Sequence, residues 1–319
     1  GMPCRLRADL HGMSPPQLGV RWARLLAAAL LSLGPAGRAD GRHLAAGTSH
    51  VCTLAARRWE PVCWGWDTGG QVSDEVRGVR FSDIASGTRH NCGLREEDST
   101  IVCWGGQFHG ETSPPEGVRF KSIASGYWHN CAIREADHHA ICWGSDQFGQ
   151  SSAPAGVPFA MVAVGASQSC GLRESDNRAV CWGKAPQSEP PQDVAFSHIS
   201  CGEYHSCGIA ADDASVLCWG LDHHGQVTLP AATEGRRFKD VVAGGDHTCA
   251  VLEIDGSVMC WGLNNDGQGT PPAENRDFAY LVAGVYFTCG LRAPTETVEC
   301  WGRNREKQTD VPGDHRVEL

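Results

Sequence analysis

The stretch SIASGYWHNCAIREADHHAICWG concentrates side chains that could bind a metal ion or carry out redox chemistry. Cys131 and Cys142 lie eleven residues apart. His138 and His139 stand between them, and His129 lies just upstream of the first cysteine. Thiolates and imidazoles at this density are the ligands that zinc takes in proteins. The stretch therefore raises the alternatives of a metal centre, a redox centre and a structural pair of cysteines.

The same cysteine spacing recurs along the chain. Fourteen of the 16 cysteines form seven C-x10-C pairs, and the first members of successive pairs are 37 to 42 residues apart. Every second cysteine begins a Cys-Trp-Gly triplet. The pairs are Cys52–Cys63, Cys92–Cys103, Cys131–Cys142, Cys170–Cys181, Cys207–Cys218, Cys249–Cys260 and Cys289–Cys300. A period of this length is typical of repeat architectures, and the units begin near residues 41, 81, 120, 159, 196, 238 and 278.

Other positions recur at fixed distances from the cysteines. A phenylalanine lies eleven residues before the first cysteine in six of the seven repeats, and Gly41 takes that position in the first. A glycine lies five residues before every first cysteine. Gln or Glu lies eight residues after every second cysteine, at Gln71, Glu111, Gln150, Glu189, Gln226, Gln268 and Gln308. This agreement predicts one structural unit repeated seven times.

Each repeat contains three short alternating apolar runs separated by glycine or polar turns, which predicts three antiparallel strands. The Pro-containing segment at the end of the repeat leaves room for a fourth. A sheet of about 40 residues cannot bury its own faces, whereas radial stacking of such sheets buries them. The sequence therefore predicts an all-β fold, a seven-bladed β-propeller with four-stranded blades, over residues 40–319 as one domain.

The repeat resembles a known family. The pattern G-x-x-H, a hairpin, then W-G-x-N/D-x-x-G-Q covers residues 41 to about 312 and resembles the regulator-of-chromosome-condensation repeats. The resemblance implies a seven-bladed propeller. The cysteine-paired version with C-W-G is similar to the extracellular repeats of plant crinkly-type receptor kinases and to secreted bacterial members of the superfamily. No functional residue of the intracellular exchange factor for which the repeat is named can be placed in this acidic chain.

The hairpin within each repeat accounts for the cysteines. It brings the two cysteines of a pair side by side on neighbouring strands, within reach of a disulfide bond. Zinc ribbons need C-x2-C knuckles and redox motifs need C-x-x-C, and neither spacing occurs. We therefore expect one disulfide in each blade, with no metal ion and no cofactor. Cys201 lies where the other repeats have Ala, Ser or Val, and we expect it to be a small buried thiol.

The tryptophans of the C-W-G triplets and the histidines of the G-x-x-H turns recur too regularly to form one site. A bulky aromatic at one fixed place in every blade is expected to pack between blades. The histidine is present in five repeats and is replaced by Gln168 and Phe287 in the other two. We therefore expect it to hydrogen-bond a neighbouring turn.

The N-terminal segment has the order of an export signal. Arg21 and Arg24 precede the apolar run LLAAALLSL, and the small residues Gly37 and Ala39 follow. A basic region, a short apolar core and a small-residue cleavage site are typical of a signal peptide, and nine residues are too few to span a bilayer. We expect residues 1–39 to be a leader. The remaining chain is then secreted, or held at the cell surface or in the periplasm, without a membrane span.

The charge of the chain argues against nucleic acid as a partner. The formal net charge is −10, of which residues 1–40 contribute +3 and the remainder −13. Affinity for nucleic acid comes mostly from Lys and Arg side chains that neutralise phosphates. An acidic, exported chain is instead expected to bind an extracellular protein or a glycan, and to do so as a monomer.

Function is expected where the repeats differ. The G-x-x-H turns and the loops after C-W-G open at one end of each blade, and the hairpin turns and Pro-rich connectors open at the other. Aromatic residues concentrate at the first end, and exposed aromatics rimmed by polar groups are typical of protein interfaces. The candidate binding residues are Trp66, Phe108, Tyr127, Trp128, Phe148, Tyr204, His223 and Tyr286. The second end has an acidic rim, which we expect to be a solvated surface.

Two further groups at the first end could carry chemistry. The fourth position after the second cysteine is acidic in some repeats and an amide in others, at Asp67, Asp146, Asp222, Asn264 and Asn304. An Asx-type turn explains that exchange better than acid catalysis does. The adjacent His223 and His224 could bind a metal, but the sequence places no third ligand beside them.

The sequence favours a secreted, non-catalytic binding module that contacts another protein through the aromatic loops. A carbohydrate-binding propeller is the alternative, because a sugar ring stacks on the same aromatic side chains. A propeller hydrolase or lyase is a third hypothesis. It would need a nucleophile or an acid–base pair outside the repeat pattern, and no G-x-S-x-G or H-E-x-x-H motif is found.

Overall fold

The computed structural model describes residues 43–55, 58–185, 187, 189–293 and 295–313 of the 319-residue chain. Over these residues the chain forms 21 β-strands and one short 3-10 helix, Ala231–Thr233. The strands associate in seven three-stranded sheets, and each sheet consists of strands that are consecutive in the chain. Within the described part of the chain, no helix has the length and apolar character needed to cross a membrane.

Each sheet is one blade of the propeller. Blade 1 consists of β1 (Leu44–Ala46), β2 (His50–Leu54) and β3 (Pro61–Gly65), and blade 2 of β4 (Phe81–Ser86), β5 (His90–Arg95) and β6 (Ile101–Gly105). Blade 3 consists of β7 (Phe120–Ser125), β8 (His129–Arg134) and β9 (Ala140–Gly144), and blade 4 of β10 (Phe159–Val164), β11 (Gln168–Arg173) and β12 (Ala179–Gly183). Blade 5 consists of β13 (Phe196–Cys201), β14 (His205–Ala210) and β15 (Val216–Gly220), and blade 6 of β16 (Phe238–Ala243), β17 (His247–Leu252) and β18 (Val258–Gly262). Blade 7 consists of β19 (Phe278–Ala283), β20 (Phe287–Arg292) and β21 (Thr297–Gly302).

Every blade is an antiparallel meander in which the two cysteines lie directly opposite each other. In blade 3, Cys131 of β8 is the register partner of Cys142 of β9, and the other six blades repeat this pairing. Disulfide bonds join all seven pairs across a sequence separation of 11. The predicted disulfide framework is confirmed, and each bond holds the register between the second and third strands.

The prediction of a fourth strand was wrong for the described residues, because each blade has three strands. The segment after the third strand runs as turns and irregular backbone. Among the described residues, its isolated bridges are His139 with Pro158 in blade 3 and Arg178 with Ala195 in blade 4. Prolines are frequent in this segment and have no backbone N–H for a strand ladder.

Apolar packing between neighbouring blades buries the faces of the sheets. Between blades 2 and 3, Leu94 and Ile101 pack with Phe120 and Trp143 of the following blade. The indole N–H of Trp143 also donates to the backbone carbonyl of Glu111 in blade 2 at 2.9 Å. Five other tryptophans of the C-W-G triplets make the equivalent bond to the preceding blade. The expectation that these tryptophans pack between blades is confirmed.

The ring closes by the same packing between blade 1 and blade 7. Leu44 and Trp64 of blade 1 lie in one apolar cluster with Val282 and Phe287 of blade 7. The indole N–H of Trp64 donates to the carbonyl of Gln308 at 3.0 Å. Blade 1 is therefore joined to blade 7 by the same indole bond that joins blades 3 to 7 to their predecessors. The leader expected over residues 1–39 and the first-repeat position at Gly41 lie outside the described residues.

Blade 4 corrects one repeat position. Gln187, and not Glu189, is the buried residue whose carbonyl accepts the indole N–H of the next blade, from Trp219 at 3.1 Å. Glu189 is exposed. Gln187 follows Cys181 by six residues, where the other repeats have eight, because the loop of blade 4 is shorter. A fixed count from the cysteine therefore selected the wrong residue.

Candidate functional site

The turns before the second strands and the loops after the third strands form one end of the propeller, which we call the loop face. In every blade the residue after C-W-G donates its backbone N–H to a carbonyl in the turn before the second strand. The acceptor is the last residue of that turn. In blade 2 this bond runs from Gly106 to the carbonyl of Arg89 and measures 2.7 Å. The C-W-G glycines have φ values between 90° and 111°, which only glycine adopts without strain. The expected sorting of loops to one end is confirmed.

Buried side chains hold the loops that carry the candidate aromatics. Oε1 of Glu111 accepts the backbone N–H of Phe108 at 2.9 Å, and Oε1 of Gln150 accepts that of Phe148 at 2.8 Å. The Asp or Asn at the fourth loop position accepts a backbone N–H five residues further on, at Val72, Ser151, Val227, Gly269 and Thr309. The structural role expected for these Asp and Asn side chains is confirmed. Their hydrogen bond to the backbone spans five residues of the loop, whereas that of an Asx turn spans two.

Below the loop face, seven glycines form a narrow collar around the central channel, at Gly47, Gly87, Gly126, Gly165, Gly202, Gly244 and Gly284. Adjacent blades come so close here that a Cβ on Gly126 would lie 2.1 Å from the carbonyl oxygen of Gly165. Backbone bonds of 3.0 to 3.3 Å link one blade to the next at this level, for example from Tyr127 N to Gly165 O. The collar encloses a cavity of about 90 Å³. The channel mouth is therefore rigid and small.

Tyr127 and Glu203 meet across the channel mouth. The hydroxyl of Tyr127, in the turn of blade 3, donates to Oε2 of Glu203, in the turn of blade 5, at 2.8 Å. The intervening turn of blade 4 has the small residues Ala166 and Ser167, over which the tyrosine can extend. Both Tyr127 and Glu203 line the cavity above the collar.

The tyrosine hydroxyls at the channel mouth stay protonated at physiological pH. Burial raises the pKa of Tyr127 well above its ordinary value, and the negative charge of Glu203 raises it further. A hydrogen bond to Glu203 raises the pKa of Tyr204 to about 12, with smaller contributions from burial and from the charge of Glu203. Both hydroxyls are therefore donors toward the carboxylate of Glu203.

A second cluster runs across the turns and loops of blades 1 to 3. The guanidinium of Arg89 lies 4.6 Å from the ring centre of Trp66 and 5.3 Å from that of Phe108. Phe108 and His109 both meet the ring of Trp128 edge to face, each at 5.7 Å between ring centres. We call these five residues the aromatic band. Its side chains hold one another in place while Phe108 stays 56% exposed.

The remaining candidate residues stand apart from the aromatic band. Phe148 is 48% exposed, with the ammonium of Lys184 5.0 Å from its ring centre. Tyr286 has the guanidinium of Arg303 3.7 Å above its ring, and Arg303 also pairs with Asp266. His223 is exposed on the loop of blade 5. The structure therefore places three of the eight candidates in the band, three tyrosines in turns near the channel, and two in separate loops.

Sequence reasoning selected the aromatic rings and missed their charged partners. Arg89, Lys184 and Arg303 each lie over a candidate ring, and Glu203 binds a candidate hydroxyl. Two of them, Arg89 and Glu203, occupy the variable pair of the turn in their blades, so the variation between repeats was the available signal.

The recurrent histidines are structural groups, though not as predicted. His90 places Nε2 2.8 Å from Oδ1 of Asn130, which lies on the second strand of the next blade and not in a turn. His50, His129, His205 and His247 make equivalent contacts with the following blade. All five side chains are fully buried, and burial lowers their pKa values. They are therefore neutral at physiological pH.

Cys201 is a half-buried thiol that lines the collar cavity. Its position is that of Ala46, Ser86 and Ser125 in other blades. Burial raises the pKa of its thiol to about 12. A thiol with so high a pKa is a poor nucleophile, because the thiolate is the reactive form.

The stretch that suggested zinc contains no metal centre among the described residues, where no three His, Cys, Asp or Glu side chains are grouped for a metal. His138 lies at the hairpin tip and contacts Glu174 of blade 4 through Nδ1 at 2.9 Å. His139 contacts Asp137 at 3.2 Å. The acidic rim at this end was expected to be a simple solvated surface. Its carboxylates are 36–50% exposed, as expected, and they also pair with arginines, in the bonds Arg80–Glu96, Arg95–Asp98, Arg119–Glu135, Arg134–Asp137 and Arg173–Asp176.

The fold and its cysteine bonds define a class: a seven-bladed β-propeller with one disulfide in every blade. More narrowly, three of the seven blades match the regulator of chromosome condensation (RCC1) repeat. The family model of that repeat matches residues 120–150, 196–226 and 238–268, which belong to blades 3, 5 and 6. No curated protein matches the sequence as a whole.

Two solved ectodomains of crinkly-type receptor kinases are similar to this chain. The entire ectodomain of the receptor kinase CR4 from Physcomitrella patens is 28% identical, with a TM-score of 0.71 over 82% of this chain and 73% of that one. The CRINKLY ectodomain of the receptor kinase ACR4 from Arabidopsis thaliana is 25% identical, with a TM-score of 0.67 over 82% of this chain and 95% of that one. The chain is thus similar to extracellular receptor propellers.

A more distant structure shares the fold alone. Prp20p from Saccharomyces cerevisiae is 16% identical, with a TM-score of 0.64 over 84% of this chain and 83% of that one. Seven disulfides together with the ectodomain neighbours favour an extracellular location, because disulfides persist in oxidising compartments.

Proposed function

We propose that this chain is an extracellular, non-catalytic binding module that takes a protein partner on the loop face, with the aromatic band as the central contact. The observation that carries the proposal is the contiguous contact of Trp66, Arg89, Phe108 and Trp128 across three blades. Trp, aromatic and Arg side chains are the residue types enriched at energetic centres of protein interfaces.

The band is preorganised for binding. Its side chains already rest on one another, and disulfides within each blade support the strands from which its loops emerge. A partner would therefore order few additional side chains, and each immobilised rotamer-rich side chain otherwise costs about 0.5–1.5 kcal/mol. Phe108, which is 56% exposed, is the expected anchor for a pocket on the partner.

The same contacts favour a protein over a glycan. A sugar ring stacks on a free aromatic face, and the guanidinium of Arg89 already lies over Trp66 and Phe108. The rings of Phe108 and His109 stand nearly perpendicular to the ring of Trp128. The band thus combines partly covered aromatic rings with a cation, which suit a mixed apolar and polar protein surface. A glycan array probed with the purified protein tests the alternative, since strong selective binding of one sugar class would favour it.

The proposal is tested by comparing the purified protein with two variants in affinity capture from extracellular fluid of the source organism. The double variant Phe108→Ala/Trp128→Ala removes the apolar centre of the band. Ile254→Ala is the matched control, because Ile254 is 88% exposed on a hairpin turn at the other end of blade 6.

The captured partner is then purified, and its affinity is measured against all three proteins. We expect the double variant to bind at least about tenfold more weakly, since interface anchors contribute about 2 kcal/mol or more each. The Ile254→Ala control should bind as the unaltered protein does. Equal affinity of the double variant and the control would contradict the proposal.

A further inference from the structure

Glu203 stands out among the charged groups of the loop face. Its carboxylate accepts the hydroxyl of Tyr127 at 2.8 Å, and the interaction with Glu203 raises the pKa of the neighbouring Tyr204 hydroxyl. Both hydroxyls are neutral, and no basic side chain in the described part of the chain forms an ion pair with Glu203. Its negative charge therefore stays uncompensated at a half-buried position beside the channel cavity.

The basic residues around this position are engaged elsewhere. Arg89 lies over Trp66 and Phe108 in the aromatic band. Arg303 lies over Tyr286 and pairs with Asp266 at 2.7 Å. On the loop face, basic side chains of the chain itself therefore lie over aromatic rings at more than one place. At Glu203 the aromatic rings and the carboxylate are present, and none of the ion pairs found among the described residues includes Glu203.

The lining of the cavity also favours a cationic ligand. It consists of the collar glycines, small side chains, Val164 and Val285, and the polar groups of Tyr127 and Glu203. An anion would meet the carboxylate of Glu203 and the net charge of −10 on the chain, whereas a cation would be steered toward it. A volume of about 90 Å³ accommodates an ammonium group with its last methylenes. A lysine ammonium is a compact charge on a flexible stem, which suits a narrow opening, whereas a guanidinium binds a carboxylate through a planar fork.

We propose that the channel mouth binds the ammonium group of a lysine side chain of the partner protein, with Glu203 as its counter-ion and Tyr127 and Tyr204 as its aromatic walls. This inference rests on the proposed function, because it assumes a protein partner on the loop face. The aromatic band then supplies apolar contact area, and the channel mouth supplies charge selection. A lysine beside an apolar patch is the feature that a cognate surface must present.

The probe for this site is n-butylammonium chloride, titrated into the isotopically labelled protein at constant ionic strength and followed by NMR. Uncharged n-butanol is the matched control for the alkyl chain. We expect saturable shifts at the amides of Tyr127, Glu203 and Tyr204 with the ammonium and none with the alcohol. Equal responses to the two compounds, or ammonium shifts that never saturate, would overturn the inference without the need for any variant.

A variant then assigns the interaction to the carboxylate. Glu203→Gln keeps the size of the side chain and removes its charge, and we expect the affinity for n-butylammonium to fall at least about tenfold. Ile254→Ala should bind the probe unchanged. An unaltered affinity in a folded Glu203→Gln protein would also overturn the inference.

The two proposals fail separately. If a protein partner binds through the aromatic band and n-butylammonium does not saturate, the lysine site is wrong and the proposed function stands. If n-butylammonium saturates at Glu203 and no partner depends on Phe108 and Trp128, the proposed function is wrong and the cation site stands as a property of the channel mouth.

Discussion

Nε2 of His247 in blade 6 lies 2.9 Å from the hydroxyl of Thr288 in blade 7, and both side chains are fully buried. Four other interfaces between blades contain the same contact, made by His50, His90, His129 and His205. The Nδ1 atoms of all five histidines are buried without a hydrogen-bond partner. A ring of neutral imidazoles therefore joins the blades, and protonation would place charge where water does not reach.

We expect the propeller to lose stability between pH 6.5 and about pH 3. Burial lowers the pKa of His50 and His247 from 6.5 to about 4, and those of His129 and His205 to about 3. The unfolded chain therefore binds more protons than the folded one below pH 6.5, so stability is complete above that pH and falls as the pH drops. Below the folded-state pKa, one such histidine lowers the free energy of unfolding by on the order of 3 kcal/mol. Thermal unfolding at a series of pH values, followed by circular dichroism, measures this loss. A constant midpoint from pH 7.5 to pH 4.5 would contradict it.

Replacing one histidine by glutamine should remove part of that acid sensitivity. Blade 4 already has Gln168 at this position, where its Nε2 donates to the carbonyl of Gly202 at 3.0 Å. In His247→Gln, Thr288 keeps its bond to the carbonyl of Gln268 at 3.1 Å. We expect the unfolding free energy at pH 7.5 to change by less than about 1 kcal/mol. The decrease from pH 7.5 to pH 4.5 should be smaller than in the unaltered protein. An identical decrease would show that His247 does not contribute.

Removing one disulfide should destabilise the propeller without changing its fold. The double variant Cys131→Ser/Cys142→Ser opens a link across 11 residues in blade 3, and a disulfide typically contributes about 2–4 kcal/mol. We expect a lower midpoint of thermal unfolding, and a circular dichroism spectrum that is unchanged at about 25 °C. Cys201→Ser is the matched control, since Ser86 and Ser125 occupy the same position in other blades. Equal midpoints for the double variant and the control would contradict the stabilising role.

Cys201 should react slowly in the native protein and rapidly after unfolding. Burial raises the pKa of its thiol to about 12. Because the thiolate is the reactive form, little reactive cysteine exists at about pH 8. Iodoacetamide labelling followed by peptide mass spectrometry measures the rate in buffer and in guanidinium chloride. Label on Cys131 or Cys142 without reductant would contradict the disulfide assignment, and fast native labelling of Cys201 would contradict its protected position.

Much of the fold could be predicted because the same pattern of residues, which forms the same three-stranded sheet, recurs seven times. Cysteines at C-x10-C spacing are cross-strand partners in a hairpin, and a tryptophan after the second one reaches the preceding blade. The fourth strand and the position of Glu189 were predicted wrongly for a common reason. Both depended on the connecting segments, where prolines interrupt pairing and loop length varies from blade to blade.

The candidate site was only partly accessible to sequence reasoning. The repeat pattern sorted the loops to one end, and the departures from it pointed to Phe108, Trp128 and Tyr127. It did not show that Arg89 lies over two of the aromatic rings, or that Tyr127 reaches Glu203 two blades away. Those contacts join residues 76 positions apart in one case, and no local pattern encodes them.

The sequence by itself determined the number of blades, the pairing of the cysteines and the end at which the variable loops lie. These follow from strand alternation and from spacing within one repeat, which are local properties of the chain. The tertiary structure alone decided which variable residues become neighbours, because closure of the ring brings the turns of separate blades together above the glycine collar. The aromatic band and the Tyr127–Glu203 contact are products of that closure.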